Sequence, residues 1–211
     1  MSDKIDFKRA LDCYQAKQGT FCIIEVPDMQ YMAIDGHGDP NTSTAYVQSL
    51  EALYPLAYTL KFMSMSTLDR DYVVPPLEGL WWAPNMDAFT FARDKSQWHW
   101  TLMIMVPEWI HEEMFESAVA QVGSKASRPA RLTDVKLRDL TEGRCVQTLH
   151  VGPYDDEAEI LERMHRTYIP DNGLVLDGTH HEIYLSDPRR VAPDKLRTIL
   201  RQPVVASPSP A

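Results

Sequence analysis

Cysteine is scarce in this chain: Cys13, Cys22 and Cys145 are the only three among 211 residues. An odd count with no C-x-x-C pair builds neither a disulfide framework nor a thiolate metal site; it fits reduced thiols in a cytosolic protein. Positive charge is also in the minority, with 21 Lys and Arg against 30 Asp and Glu and a net charge of −9. Non-specific nucleic-acid binding needs a basic footprint, so no nucleic-acid partner is expected, whereas cationic small molecules suit this balance. No apolar run follows the charged Met1–Arg9 segment, and none approaches the roughly 20 residues of a membrane span. Secretion and membrane insertion are therefore not expected, and the reading is cytoplasmic. Several catalytic signatures are missing too: there is no G-x-S-x-G elbow, no P-loop and no H-E-x-x-H. His180 and His181 are adjacent, so on a strand they face opposite sides and do not jointly clasp one metal. Gly36-His37-Gly38 lacks the rest of a phosphate-binding fingerprint. No metal and no cofactor is expected.

What the chain does contain is ordinary for a globular protein, 44% hydrophobic and 24% charged, and long enough for a sizeable core. The most informative stretch is Thr179–Asp187, T-H-H-E-I-Y-L-S-D. It alternates as a strand does: His181, Ile183 and Leu185 point one way, and His180, Glu182, Tyr184 and Ser186 the other. A carboxylate beside a phenol in mid-strand fits either a solvated sheet face or the wall of a pocket. In a pocket the carboxylate holds a cation or activates water, and the aromatic supplies flat contact area.

Taken in order, residues 1–19 read as a polar arm that packs on the main body. Strands follow at Phe21–Val26 and Tyr31–Ile34, and then a Gly/Pro loop through Pro40. A helix capped within Asn41–Ser43 runs to about Met63, with Pro55 expected to kink it. After Pro75-Pro76 a strand covers Leu77–Ala83, in which Trp81 and Trp82 must face opposite sides. Pro84–Ser96 is a hairpin or loop, and Trp98–Met105 alternates again, with Trp98, Trp100, Leu102 and Ile104 sharing a face. Pro107 opens a helix that stops at Gly123, and Trp109 in it is assigned to packing. Ser124–Pro129 is the linker between halves. Val135–Leu140 and Arg144–Val151 are strands, and a helix capped by Asp155 or Asp156 carries Ile160, Leu161, Met164 and Tyr168. Leu174–Leu176 and His180–Ser186 form a hairpin. A final helix from Pro193 carries Leu196, Ile199 and Leu200, and residues 202–211 read as a disordered tail.

Each half thus repeats strand, strand, glycine turn, helix and two strands. The halves are expected to join into one curved antiparallel α+β sheet, with helices on the convex face and a ligand cleft on the concave face between halves. The segments Ile34-Asp35-Gly36, Asp39-Pro40, Leu77-Glu78-Gly79-Leu80-Trp81-Trp82, Trp100, Pro107-Glu108 and His181–Pro188 resemble the stand-alone GyrI-like small-molecule-binding proteins. The likeness extends over nearly all of Tyr14–Pro203; its tryptophan and H-E-I-Y-L-S-D segments are specific, its glycine turns less so. The resemblance implies one domain of two pseudo-repeats, about 20–123 and 130–201. It relates the chain to drug-sensing effector domains of bacterial transcription regulators, without their DNA-binding domain. It also implies a central pocket with an aromatic wall and one carboxylate. Some members of this group resemble hydrolases that open the cyclopropane of yatakemycin-type DNA-alkylating compounds; others are known only as binders.

The ligand-binding candidates are accordingly Glu182, Tyr184, Trp82, Trp100, Trp81, Trp98 and Tyr154, with Glu182 and Tyr184 catalytic if the chain is an enzyme. Three functions remain open at this point. The first is a binder of flat aromatic compounds, neutral or cationic, with a role in xenobiotic protection. The second is a cyclopropane-opening hydrolase, and the third a ligand-sensing protein-interaction adaptor.

Overall fold

The computed structural model describes residues 4–83 and 94–208, so most of the loop expected at Pro84–Ser96 lies outside the described residues. An N-terminal arm holds a short helix α1 (Phe7–Ala10). Strands β1 (Cys22–Val26) and β2 (Met29–His37) lead to helix α2 (Thr44–Leu68), followed by β3 (Leu77–Trp82), β4 (His99–Val106) and α3 (Glu112–Gly123). The second half contains β5 (Lys136–Leu140), β6 (Gly143–Val151), α4 (Ala158–Arg163), β7 (Leu174–Leu176), β8 (His180–Tyr184) and β9 (Arg197–Ala206).

The strands form one antiparallel sheet in the order β1-β6-β9-β8-β3-β4-β2-β5, with β7 pairing on β9. That order is nearly palindromic about the β3–β8 pair. β6-β9-β8 from the second half mirrors β2-β4-β3 from the first. The outermost strands are exchanged: β1, which precedes β2, pairs with β6, and β5, which precedes β6, pairs with β2.

Period-two alternation sorts the side chains onto two faces. The front face carries Met32, Ile34, Trp81, Trp100, Leu102 and Ile104, and these pack under Leu53, Leu56 and Leu60 of α2 and Phe115 and Ala118 of α3. Ser43 caps α2, its Oγ accepting from the Tyr46 N–H at 3.3 Å, and the helix is continuous across Pro55. α4 covers Val146, Leu200 and Val204 on the same side. It continues as a π-helical segment, Met164–Tyr168, into Ile169–Asp171, where Pro170 has no N–H to give an ordinary ladder.

The C-terminal part of the chain departs from the sequence reading. Pro193 opens only a one-turn 3-10 segment, and Leu196–Leu200 then belongs largely to β9 rather than to a helix. Leu196, Ile199 and Leu200 have helical spacing, but Thr198–Val204 is buried on both faces, and a strand covered on both sides need not alternate apolar with polar residues. Gln202–Ala206, expected in a disordered tail, is the end of this strand, held by β6 and β7. Leu174–Leu176 pairs with β9 and not with β8. Pro203 sits where the neighbour of β9 changes from β8 to β7, which is where a missing N–H is tolerated. The helix expected from Pro107 begins later, at Glu112, after a turn closed by Ile110 N–H to Pro107 C=O at 2.9 Å.

The back face is covered by the arm. Under it lies a buried charged network. Tyr14 Oη donates to Glu78 Oε1 at 2.6 Å and Tyr31 Oη to Glu78 Oε2 at 3.2 Å. His181 bridges Glu78 and Glu142, 3.0 Å from each. Arg201 donates to Glu142 at 2.8 Å, to the Cys13 carbonyl at 2.6 Å and to Gln147 at 3.3 Å. Two carboxylates thus face Arg201 and, when protonated, His181, and the charges cancel. Burial acts to lower the His181 pKa, but Glu142 and Glu78 raise it above the ordinary value. Burial acts to raise that of Glu142, but His181 and Arg201 hold it down to about 2. The His181 contribution to stability is complete below its unfolded value of about 6.5 and is lost as pH rises through the raised native value. The Glu142 contribution is present above its ordinary 4.5 and is lost as pH falls toward 2.

Replacing Arg201 by Met strands two buried carboxylates with one titratable cation. Urea unfolding at neutral pH should show a loss of about 3–5 kcal/mol, the scale for breaking a buried pair. An unchanged midpoint would mean that the network is energetically neutral.

Candidate functional site

A cleft of about 1070 Å³ opens on the front face, bounded by α2, β3, β8 and the turn at Tyr154–Asp156. It lies on the helix-bearing side of the sheet, not on the bare side as the sequence reading had it, because the arm and the charged network fill the back.

The floor is the β3–β8 pair. β8 presents Glu182 and Tyr184 to the front, and β3 presents Trp81. Trp81 Nε1 donates to Tyr184 Oη at 2.9 Å, and Tyr184 Oη donates to Glu182 Oε2 at 2.7 Å. The indole thus polarises the phenol toward the carboxylate. Gly79 pairs with Glu182, and its missing side chain makes room for this chain of bonds: a Cβ there would lie 2.7 Å from Trp81 Nε1 and 3.2 Å from Tyr184 Oη. Gly36 plays the same part behind the wall, since a Cβ on it would enter the Trp100 ring.

The walls are aromatic. Tyr46 from α2 stacks on Trp81 at 6.3 Å between ring centres, Trp98 meets Trp81 edge-on at 5.7 Å, and Tyr154 meets Tyr184 edge-on at 5.6 Å. Lys95 lies over Trp98 and pairs with Asp155 at 3.0 Å at the mouth. Burial, with Glu182 beside it, pushes the Tyr184 phenol well above its ordinary range. Tyr154 is pushed up to about 12 by burial, then by Glu157 and Glu182. Both phenols therefore stay protonated at neutral pH and act as hydrogen-bond donors.

Of the residues singled out in the sequence, Glu182, Tyr184, Trp81, Trp98 and Tyr154 come together around this cleft. Trp100 does not line it: it is fully buried one layer behind, edge-on to Tyr46 at 5.3 Å. Trp82 faces the back and stacks on His99 at 5.7 Å, as its adjacency to the front-facing Trp81 requires. Sequence reasoning missed Tyr46 and Glu157 as lining residues. Tyr46 sits on α2, where the sequence pattern marks a helix but not which of its side chains turn to the sheet. Glu157 was hidden in an acidic run that reads as a helix start. No group of three His, Cys, Asp or Glu side chains able to hold a metal occurs among the described residues, and no described helix is long and apolar enough to cross a membrane.

Residues 100–205, half of the chain, match the model of the GyrI-like small-molecule-binding domain. The chain belongs to the GyrI-like family. Two solved structures from Listeria innocua share 38% identity with it, over 96% of this chain and 100% of theirs. One is of an uncharacterized conserved protein (TM-score 0.87) and the other of a hydrolase (TM-score 0.83). The C-terminal domain of EcmrR has the same fold at 12% identity, with a TM-score of 0.55 over 89% of this chain and 98% of that one. No curated protein gives a significant match. The nine-stranded antiparallel sheet with helices on one face is thus the GyrI-like fold.

Gly79→Ala should force Trp81 or Tyr184 out of line. Fluorescence titration with a flat aromatic ligand is expected to show affinity lower by about tenfold or more, equivalent to about 1.4 kcal/mol. Unaltered affinity would mean that the Trp81–Tyr184–Glu182 chain does not shape the cleft.

Proposed function

We propose that this GyrI-like protein binds flat, apolar aromatic cations and protects the cell by sequestering xenobiotics of that kind in the cytoplasm. The observation that carries this reading is the state of Glu182. Its carboxylate side chain is only 15% exposed, it lies at the floor of an aromatic cleft, and it accepts from Tyr184. No Lys or Arg among the described residues pairs with it. A largely covered carboxylate whose basic neighbour is an imidazole, His180 Nε2 at 3.6 Å, rather than a Lys or Arg favours a cation brought by the ligand. Trp81, Trp98 and Tyr46 offer ring faces and edges to the ligand's aromatic system, and the ring faces also attract positive charge.

The test uses N-methylacridinium, a permanent cation, and N-methylacridone, a neutral compound of similar shape. Glu182→Gln keeps the side-chain size and removes the charge. Equilibrium titration should show the cation bound more weakly by about 1–3 kcal/mol, with the acridone little affected. Equal binding of the cation by the variant and the wild type would take Glu182 out of the site.

A second reading is favoured by one comparison, the Listeria hydrolase that shares 38% identity over its full length. In it, Glu182 takes a proton from water, and the resulting hydroxide attacks a cyclopropane carbon conjugated to a carbonyl. The C–C bond breaks, and its electron pair moves to the carbonyl oxygen, which accepts a proton from Tyr184. Ring opening of a yatakemycin-type compound followed by absorbance decides between the readings. Turnover that falls by about a hundredfold or more in Glu182→Gln assigns an enzyme; binding without ring opening by the wild type assigns a binder.

A further inference from the structure

His180 shares the front face of β8 with Glu182 but does not itself line the cleft. Its side chain is 7% exposed, and its Nε2 lies 3.6 Å from Glu182 Oε1, the oxygen that Tyr184 does not use. Neither ring nitrogen of His180 has a hydrogen-bond partner among the described residues. Behind it stands His165 from the π-helical segment, 6.2 Å away between ring centres and nearly perpendicular, with an Nε2 that also lacks a partner. The buried hydroxyls of Thr148 and Thr198, on β6 and β9 beneath the same helix, are likewise unpartnered. The front face of the first half presents Met32, Ile34, Leu102 and Ile104. The two halves therefore share a topology but not a chemistry. One is an apolar wall, and the other a buried polar patch directly beside the carboxylate. Buried polar groups without partners are uncommon and call for a functional account.

We propose that His180 is the proton-holding, positioning partner of Glu182: it carries a proton while the cleft is empty, offsetting the buried carboxylate, and releases that proton when a cationic ligand takes its place. The balance is one cation bound for one proton released to solvent, with no bond to carbon made or broken. The inference rests on the cation-binding reading of the cleft.

The other groups facing this pair do not compete for the role. His165 is held down to about 4 by burial and by His180, so it is neutral and available as an acceptor. Tyr184 on β8, Tyr154 on the adjoining turn and Tyr46 on α2 are all pushed up and stay protonated. His150 on β6 is engaged with the Pro153 carbonyl at 3.0 Å. Trp81 on β3, the cross-strand neighbour of His180, does not titrate. Glu157, at the start of α4, is another carboxylate lining the cleft and serves as the comparison; Asp187, which also lines it, is paired with Arg189 at 2.9 Å and held down to about 2 by that guanidinium.

Calorimetric titration in buffers of differing ionisation enthalpy counts the protons released. With wild-type protein titrated over a series of pH values, N-methylacridinium should release up to about one proton per cation bound, and N-methylacridone none. His180→Gln should bind the cation with no release and lose the fall in affinity that the wild type shows on acidification; Glu157→Gln should keep both. Wild-type protein that binds the cation through Glu182 without releasing a proton overturns this inference and leaves the binding reading standing. Release that persists in His180→Gln but vanishes in Glu157→Gln also overturns it. Cation binding that survives Glu182→Gln unchanged takes both readings down. The wild-type measurement needs no variant, so a misfolded His180→Gln protein does not protect the proposal.

Discussion

The antiparallel pairing of β3 with β8 is the joint on which both faces of this molecule depend. Along these strands, residues one position apart serve opposite sides of the sheet. Glu78 and His181 point back into the charged network, while Gly79 and Glu182, direct partners across the ladder, form the floor of the cleft. The back must be dry and balanced in charge so that the arm can seal it, and the front must keep a carboxylate open to a ligand. A register slip of one residue would exchange the two sets. It would bury Glu182 against the arm and expose Glu78, so both the fold and the site require the same alignment.

The strand order gives the sheet a near-symmetry about the β3–β8 pair, and the chemistry then breaks it. The first half supplies long helices and an apolar wall; the second supplies Glu182, Tyr184 and the histidines under a shorter, π-distorted helix. A cleft at the boundary of two such halves meets aromatic surface on one side and charge on the other. An amphipathic aromatic cation needs that combination. The two glycines at close approach, Gly36 and Gly79, show the same economy: each removes a Cβ so that an indole can lie against the sheet.

Much of this was legible in the sequence where a period of two is clean. The alternation in Trp98–Met105 and in Thr179–Asp187 placed Leu102 with Ile104, and Glu182 with Tyr184, on the faces where the structure has them. The pairing of Tyr184 with Glu182 follows from two-residue spacing alone. Other features were not legible, for physical reasons. β9 is buried on both sides and so has no period, which allowed Leu196, Ile199 and Leu200 to pass for a helix. Alternation fixes that Trp81 and Trp82 diverge but not which one turns to the front, because that depends on where the arm packs. Tyr46 and Glu157 reach the cleft from elements whose rotation is set by tertiary packing. The back-face network joins residues as far apart in sequence as Cys13 and Arg201, and no local pattern marks such a bond.

The exchange of outer strands has a consequence for how the chain acquires its structure. Cys22 on β1 finds its hydrogen-bonding surface only on β6, at Gln147 and its neighbours, and β5 finds its own only on β2. During synthesis on the ribosome, the outer edge of β2 therefore waits for β5 to emerge, and β1 waits for β6. The two halves then clasp each other in both directions, as two hands with interlocked outer fingers. Neither half can leave without stripping a strand from the other. Non-local closure of this kind makes folding slow, and once it is complete it ties the opening of the cleft to the integrity of the whole sheet.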